Sequence, residues 1–170
     1  MKKQKGFSLI ELLIVVAIIL IIAAIAIPNL LRSKIAANES SAVGSVRTIN
    51  TSEVTYSSTW GTGFAVDLAT LGGVSPCVTA TAAAACLIDP VLTAGSKSGY
   101  NFGAAGTLQV TVGGVNVLNG FEVNAVPVKI QTTGVRAFCA DQTGVLQFDP
   151  AGAGNAGLTQ GGCKFTTLGN

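Results

Sequence analysis

Gly6-Phe7-Ser8-Leu9-Ile10-Glu11-Leu12-Leu13-Ile14-Val15-Val16-Ala17-Ile18, running on to Ala24-Ile25-Ala26-Ile27-Pro28, decides how the rest of the chain is read. A short leader precedes it and carries Lys2, Lys3 and Lys5. After Gly6 come about twenty mostly apolar residues, which as a helix rising ~1.5 Å per residue can cross the ~30 Å hydrocarbon core of a bilayer. One carboxylate, Glu11, interrupts the run. A charge near the middle of a membrane helix costs at least ~2.5–3.5 kcal/mol. An ordinary anchor has no use for such a group, so Glu11 calls for a partner of opposite charge. Two plainer readings compete for the same residues. An uncleaved anchor explains the length and the lysines but leaves Glu11 unexplained. A secretory signal peptide with Ala24-Ile25-Ala26 as its cleavage site has to tolerate that charge and a rather long leader.

The remaining composition limits the function classes. At 170 residues the chain allows one domain and an anchor. Ten basic groups less Lys2, Lys3 and Lys5 leave seven, against eight acidic ones, so a chain cut after Gly6 is close to neutral in its side chains. No basic patch argues for nucleic acid. Lysines before the apolar run put the N-terminus in the cytoplasm by the positive-inside rule, and the head outside the inner membrane. In that oxidising setting Cys77, Cys86, Cys139 and Cys163 read as disulfides. They fall into two local pairs, Cys77 with Cys86 and Cys139 with Cys163, and local pairing is the expectation, although four cysteines allow three connectivities. With no His and no C-x-x-C, a zinc or thioredoxin-like site has no ligands to build it, and no His-dependent catalytic triad is available. No metal or other cofactor is expected.

Past Pro28 a helical stripe continues through Leu31, Ile35, Ala42, Val46, Ile49 and Val54, with Arg32, Asn38, Glu39, Ser45, Asn50 and Ser52 expected on the opposite, polar face. One long helix is therefore predicted, apolar all round over residues 7–28 and amphipathic over 29–60, ending at Gly61 and Gly63. Residues 61–96 read as a connecting αβ loop, with a short helix at Val66–Leu71 and a turn or helix start at Asp89-Pro90. From Lys97 the period changes to two. Strands are predicted at Gly99–Phe102, Leu108–Val112, Phe121–Val128, Val135–Ala140 and Gly144–Phe148, with a hairpin turn at Asp141–Gly144. An antiparallel sheet with one wet face and an amphipathic helix each need a cover, and each supplies the other's. The fold class expected is α+β.

The N-terminal residues quoted above resemble the class III (prepilin) signal of the type IV pilin family. The likeness covers roughly the first thirty residues and is specific, because it joins a cleavage junction, a carboxylate and a proline at set spacing. The resemblance implies a pilin fold, with a 1–6 leader and a long N-terminal helix packed on the sheet of residues 97–170. It implies that a prepilin peptidase cuts between Gly6 and Phe7 and that Phe7 becomes the N-methylated N-terminus. It further implies that Glu11 pairs with the Phe7 amine of a neighbouring subunit, and that the helix bends or melts at Pro28. The glycine-rich tail, if tied by Cys163 to Cys139, resembles the C-terminal disulfide-bounded loop of type IVa pilins. The partners implied are identical or related pilin subunits in a helical polymer, the peptidase, an inner-membrane assembly platform, and the inner membrane itself before the subunit moves to an extracellular pilus. A pseudopilin of a secretion or competence system is the related alternative. The Asp-Pro-Trp-Gly signature of the major pseudopilins does not occur here, where the only tryptophan is Trp60. A membrane-anchored periplasmic binding module that never polymerises is the alternative of another class.

Two further motifs carry less. Gly152-Ala153-Gly154-Asn155-Ala156-Gly157 satisfies G-x-G-x-x-G but lacks the helix and the distant acid that dinucleotide binding needs. Asp141 and Asp149 flank a hairpin and read as turn formers before they read as cation ligands.

Overall fold

The computed structural model describes residues 7–152, 163 and 166–167; Gly6, the rest of the leader and most of the tail, including the motif at 153–157, lie outside them. The chain divides into two units, residues 1–34 and 35–170. The helix α1, Leu9–Trp60, contributes to both, and its helical assignment passes through Pro28 without a gap. In the first unit every described side chain is exposed except Ala23, which is half-buried. A helix apolar on every side, with none of those sides covered, is suited to lipid or to other helices.

In the second unit α1 turns one face inward. Ala42, Val46, Ile49 and Tyr56 are buried, at the i, i+3/i+4 spacing of a core-facing stripe. The buried face is less apolar than hydropathy predicts: Glu39, Ser45, Ser52 and Glu53 lie on it too, while Val54 is exposed. The helix ends where the Gly61 N–H donates to the carbonyl of Ser57, at 3.0 Å. Helix α2, Leu68–Gly72, begins at Asp67, whose carboxylate accepts from the Thr70 N–H at 2.8 Å. Helix α3, Pro90–Thr93, begins the same way at Asp89, which accepts from the Leu92 N–H at 2.9 Å and pairs with the Lys97 ammonium at 3.0 Å. Such capping oxygens satisfy donors that a helix start leaves open.

Among the described residues six strands follow in chain order as an antiparallel meander: β1 Ser96–Lys97, β2 Tyr100–Val112, β3 Val115–Pro127, β4 Ala137–Asp141, β5 Gln147–Asp149 and β6 Thr166–Thr167. The main departure from expectation is here. The two segments predicted at Gly99–Phe102 and Leu108–Val112 form one strand, and β3 begins six residues before Phe121. Gly113 and Gly114 join the two strands with φ of 60° and 84°, the left-handed pair that a two-residue hairpin turn requires. Tyr100, Phe121, Val123 and Phe138 point from the sheet into the core against Val46, Ile49, Leu71 and Leu92. Gly134 lies so close to the Tyr100 ring that a Cβ there would collide with its hydroxyl, so the chain passes there only without a side chain. The Tyr100 hydroxyl donates to the carbonyl of Arg136, at 2.8 Å.

Candidate functional site

At the start of α1 the residues that carry chemistry lie within one turn. Ser8 is the residue before the helix, and its N–H donates to the Glu11 carboxylate at 2.9 Å. Ser8-x-x-Glu11 is thus half of a capping box, in which a glutamate three residues in reaches back to an open donor. Glu11 also places negative charge at the positive end of the helix dipole. The sequence signal for this was present in the Ser-Leu-Ile-Glu spacing and is independent of any partner. Phe7, next to Ser8, is exposed. Gly6 lies outside the described residues, and Pro28 sits within α1.

Hydropathy hides the buried carboxylates of the head, of which Glu39 and Glu53 stand on α1 and Glu122 on β3. Glu39 accepts four hydrogen bonds. One oxygen takes the N–H groups of Val135 and Arg136 at 2.9 and 3.0 Å, and the other takes Nε and Nη2 of Arg136 at 2.9 and 2.7 Å. Burial alone pushes the Glu39 carboxyl up, but these donors and the Arg136 charge outweigh it, and its pKa is held below the usual carboxylate value. The same guanidinium lies 5.6 and 5.5 Å from the ring centres of Phe138 and Phe148, within cation–π range. Asn38 adds a bond from its amide to the carbonyl of Thr133, at 2.8 Å. Together these fasten the amphipathic part of α1 to the segment entering β4.

Glu53 is the opposite case. It is fully buried; one carboxylate oxygen accepts from the Ala65 N–H at 2.8 Å, and the other has no hydrogen-bond partner among the described residues. Burial pushes its pKa up to about 7, aided by the charge of Asp67 and opposed by the Ala65 hydrogen bond. It ties the loop after α1 back onto the helix.

The cysteines form two disulfides, Cys77–Cys86 and Cys139–Cys163, each with Cα atoms 5.7 Å apart. The first closes the alanine-rich loop and the second joins β4 to the C-terminal region. Asp141 accepts from the Thr143 N–H at 2.9 Å and Asp149 from the Ala151 N–H at 2.9 Å, so each closes its own turn. Depressions on the head are open and shallow; one of about 440 Å³ is lined mainly by Arg47, Thr48, Thr51 and Thr55 on the outer face of α1.

An exposed apolar N-terminal helix, an amphipathic continuation packed on an antiparallel meander, and a disulfide holding the C-terminal region give the pilin α+β fold. A family model described as the prokaryotic N-terminal methylation motif matches residues 1–27. The chain is 62% identical over 39 residues to the type IV wide pilus major component PilA4 of Thermus thermophilus, a match covering 23% of this chain and 30% of that protein. No solved structure matches the chain significantly. Motif and relative support a type IV pilin with a class III signal.

Proposed function

We propose that this chain is a structural subunit of a type IV pilus, made as a membrane-anchored precursor and polymerised through α1. In this reading a prepilin peptidase cuts after Gly6, Phe7 becomes the methylated N-terminus, and the head faces away from the cytoplasm until an inner-membrane platform moves the subunit into the fibre. The observation that supports it most is the uncovered helix. From Leu9 to Leu31 the only charge is Glu11, and the described side chains over that stretch are exposed, save half-buried Ala23. Cleavage would turn the Phe7 amide nitrogen into an amine one residue from the N–H that Glu11 already accepts. An amine and a carboxylate at equal depth in an apolar medium stabilise each other, either within a chain or between neighbours. In a bundle, pairing with a neighbour would also fix the stagger between helices. Pro28, which removes one helical hydrogen bond, marks where α1 would loosen under the strain of packing.

The test is intact mass and N-terminal sequencing of fibres sheared from cells. A chain beginning at Phe7 with one added methyl group is expected. A chain beginning at Met1 in assembled fibres would defeat the proposal, and one beginning at Ile27 would assign the segment to ordinary signal peptidase.

A further inference from the structure

Between the end of α1 and the cap of α2, residues 61–66 lie as a strap across the β2–β3 hairpin. Gly63 bridges to Leu118 on β3, and the Phe64 N–H donates to the Leu118 carbonyl at 2.9 Å. The Val66 carbonyl accepts from the Gly106 N–H on β2, at 3.2 Å. The Phe64 ring packs on Phe121, with ring centres 4.8 Å apart. A Cβ on Gly106 would stand only 2.7 Å from the Ala65 carbonyl oxygen, so the strap touches β2 where that strand has no side chain.

The middle of the strap is tied to α1 by Glu53. Ala65 is fully buried and its N–H donates to one Glu53 oxygen at 2.8 Å. The other oxygen is buried without a hydrogen-bond partner among the described residues. A carboxyl so placed suits its neutral form, because ionising it would bury a charge that faces a single donor. No surrounding element brings a cation to it. Asp67, at the end of the strap, is an acid and opposes ionisation further. The hairpin has no Asp, Glu, Lys or Arg from Ser98 to Phe121, and its Tyr100 hydroxyl donates to the Arg136 carbonyl. Glu122 alternates to the face of β3 opposite Phe121 and Val123. Asp141 closes its own turn. On α1 the Tyr56 hydroxyl donates to the Ala82 carbonyl at 2.7 Å, and Arg47, the last cation of the helix, is exposed.

We infer that the strap is a proton-held catch: neutral Glu53 keeps residues 61–66 down on the β2–β3 hairpin, and loss of its proton to water lets them lift while the rest of the head stays folded. The opening is local because it is the shortest way to hydrate the carboxylate. Lifting the strap breaks a few backbone hydrogen bonds, whereas moving α1 would expose Val46, Ile49 and the sheet residues packed on them. Gly61 and Gly63, with φ of 64° and 85°, give the strap backbone freedom where it leaves the helix. The Glu39–Arg136 pair fastens α1 to the segment entering β4 independently of Glu53. The catch is shut on the acid side of neutrality and released above it, whether or not the chain assembles into a fibre.

The experiment is amide hydrogen exchange of the detergent-solubilised full chain between pH 5.5 and 8, corrected for the intrinsic rate at each pH. With a carboxyl pKa of about 7 when shut and 4.5 when open, the protection of Phe64 and Ala65 should fall roughly 30-fold over that range. Val46 and Ile49 on α1 and Phe138 on β4 should keep theirs. In E53Q the strap should show no such fall, and in D67N the fall should begin at lower pH. If E53Q fails to fold, the profile of the unaltered chain decides. Strap protection that is constant with pH overturns the catch, and so does strap protection that falls in step with that of Phe138, which would mean that the whole head opens.

Discussion

Replacing Glu53 with Gln should remove a pH dependence of stability that one buried carboxyl imposes. Its folded pKa of about 7 stands above the ordinary 4.5. A group whose pKa is raised on folding contributes stability that is complete below the unfolded value and lost as pH rises through the folded value. The window is therefore pH 4.5 to about 7. At ~1.4 kcal/mol per unit the loss across it amounts to about 3 kcal/mol. E53Q keeps an acceptor for the Ala65 N–H but buries an amide N–H₂ that finds no evident acceptor, at a cost of ~1–3 kcal/mol independent of pH. The measurement is urea unfolding of the detergent-solubilised full chain at pH 4.5, 6 and 8. Trp60 is the only tryptophan and packs on Tyr56 at 4.9 Å between ring centres, so its fluorescence reports on this end of the helix. Taking the difference between variant and parent at each pH cancels the other titrating groups. E53Q should be the less stable at pH 4.5 and should gain about 3 kcal/mol on its parent by pH 8. A difference constant to within about 0.5 kcal/mol over that range would refute the reasoning. Asp67→Asn, which keeps the α2 cap while removing the nearby charge, should move the transition to lower pH.

Glu39 gives the mirror prediction: its depressed pKa means that its contribution is present above pH 4.5 and lost as pH falls through the folded value. Glu39→Gln should cost about 2–3 kcal/mol at pH 7 and flatten the acid limb of the stability curve, both read by the same urea titration. Peptide mapping without reduction should recover Cys77–Cys86 and Cys139–Cys163. Replacing the second pair by serine should destabilise by ~2–4 kcal/mol and by more than replacing the first, because it closes 24 residues against 9; equal effects on the urea midpoint would count against the loop-entropy account.

The parts of the fold legible in the sequence are those set by local pattern. An apolar run of this length specifies a helix that wants no water, and Asp89-Pro90 announces a helix start through the oxygen and ring it brings, whereas the helix expected at Val66–Leu71 begins only at Leu68 because Asp67 caps it from outside. The β2–β3 hairpin was only half legible. Gly103 to Gly106 has little strand propensity, so it hides the join between two segments that cross-strand pairing holds as one. The Gly113-Gly114 pair between valine-rich runs was the available signal. Glu39 and Glu53 could not be placed by hydropathy. A carboxylate goes inward when donors wait for it, and those of Glu39 come from Val135 and Arg136, 96 and 97 residues away. At the N-terminus Glu11 was legible as an anomaly, while its hydrogen bond to Ser8 shows that the same carboxylate also starts the helix.

Assembly of Glu11→Leu subunits tests the central claim most directly. The substitution removes a charge from the apolar run, so membrane insertion should persist or improve, and Gly6, Phe7 and the lysines of the proposed cleavage site remain. Once cut, its Phe7 amine would lie in lipid or against a neighbouring helix without a counter-ion, at a cost of ~3–5 kcal/mol. Immunoblots comparing sheared fibres with the cleaved membrane pool should show cleaved subunits accumulating and fibres nearly absent, with Glu11→Asp in between. Normal fibre yield from Glu11→Leu would contradict the claim that this carboxylate brings subunits together.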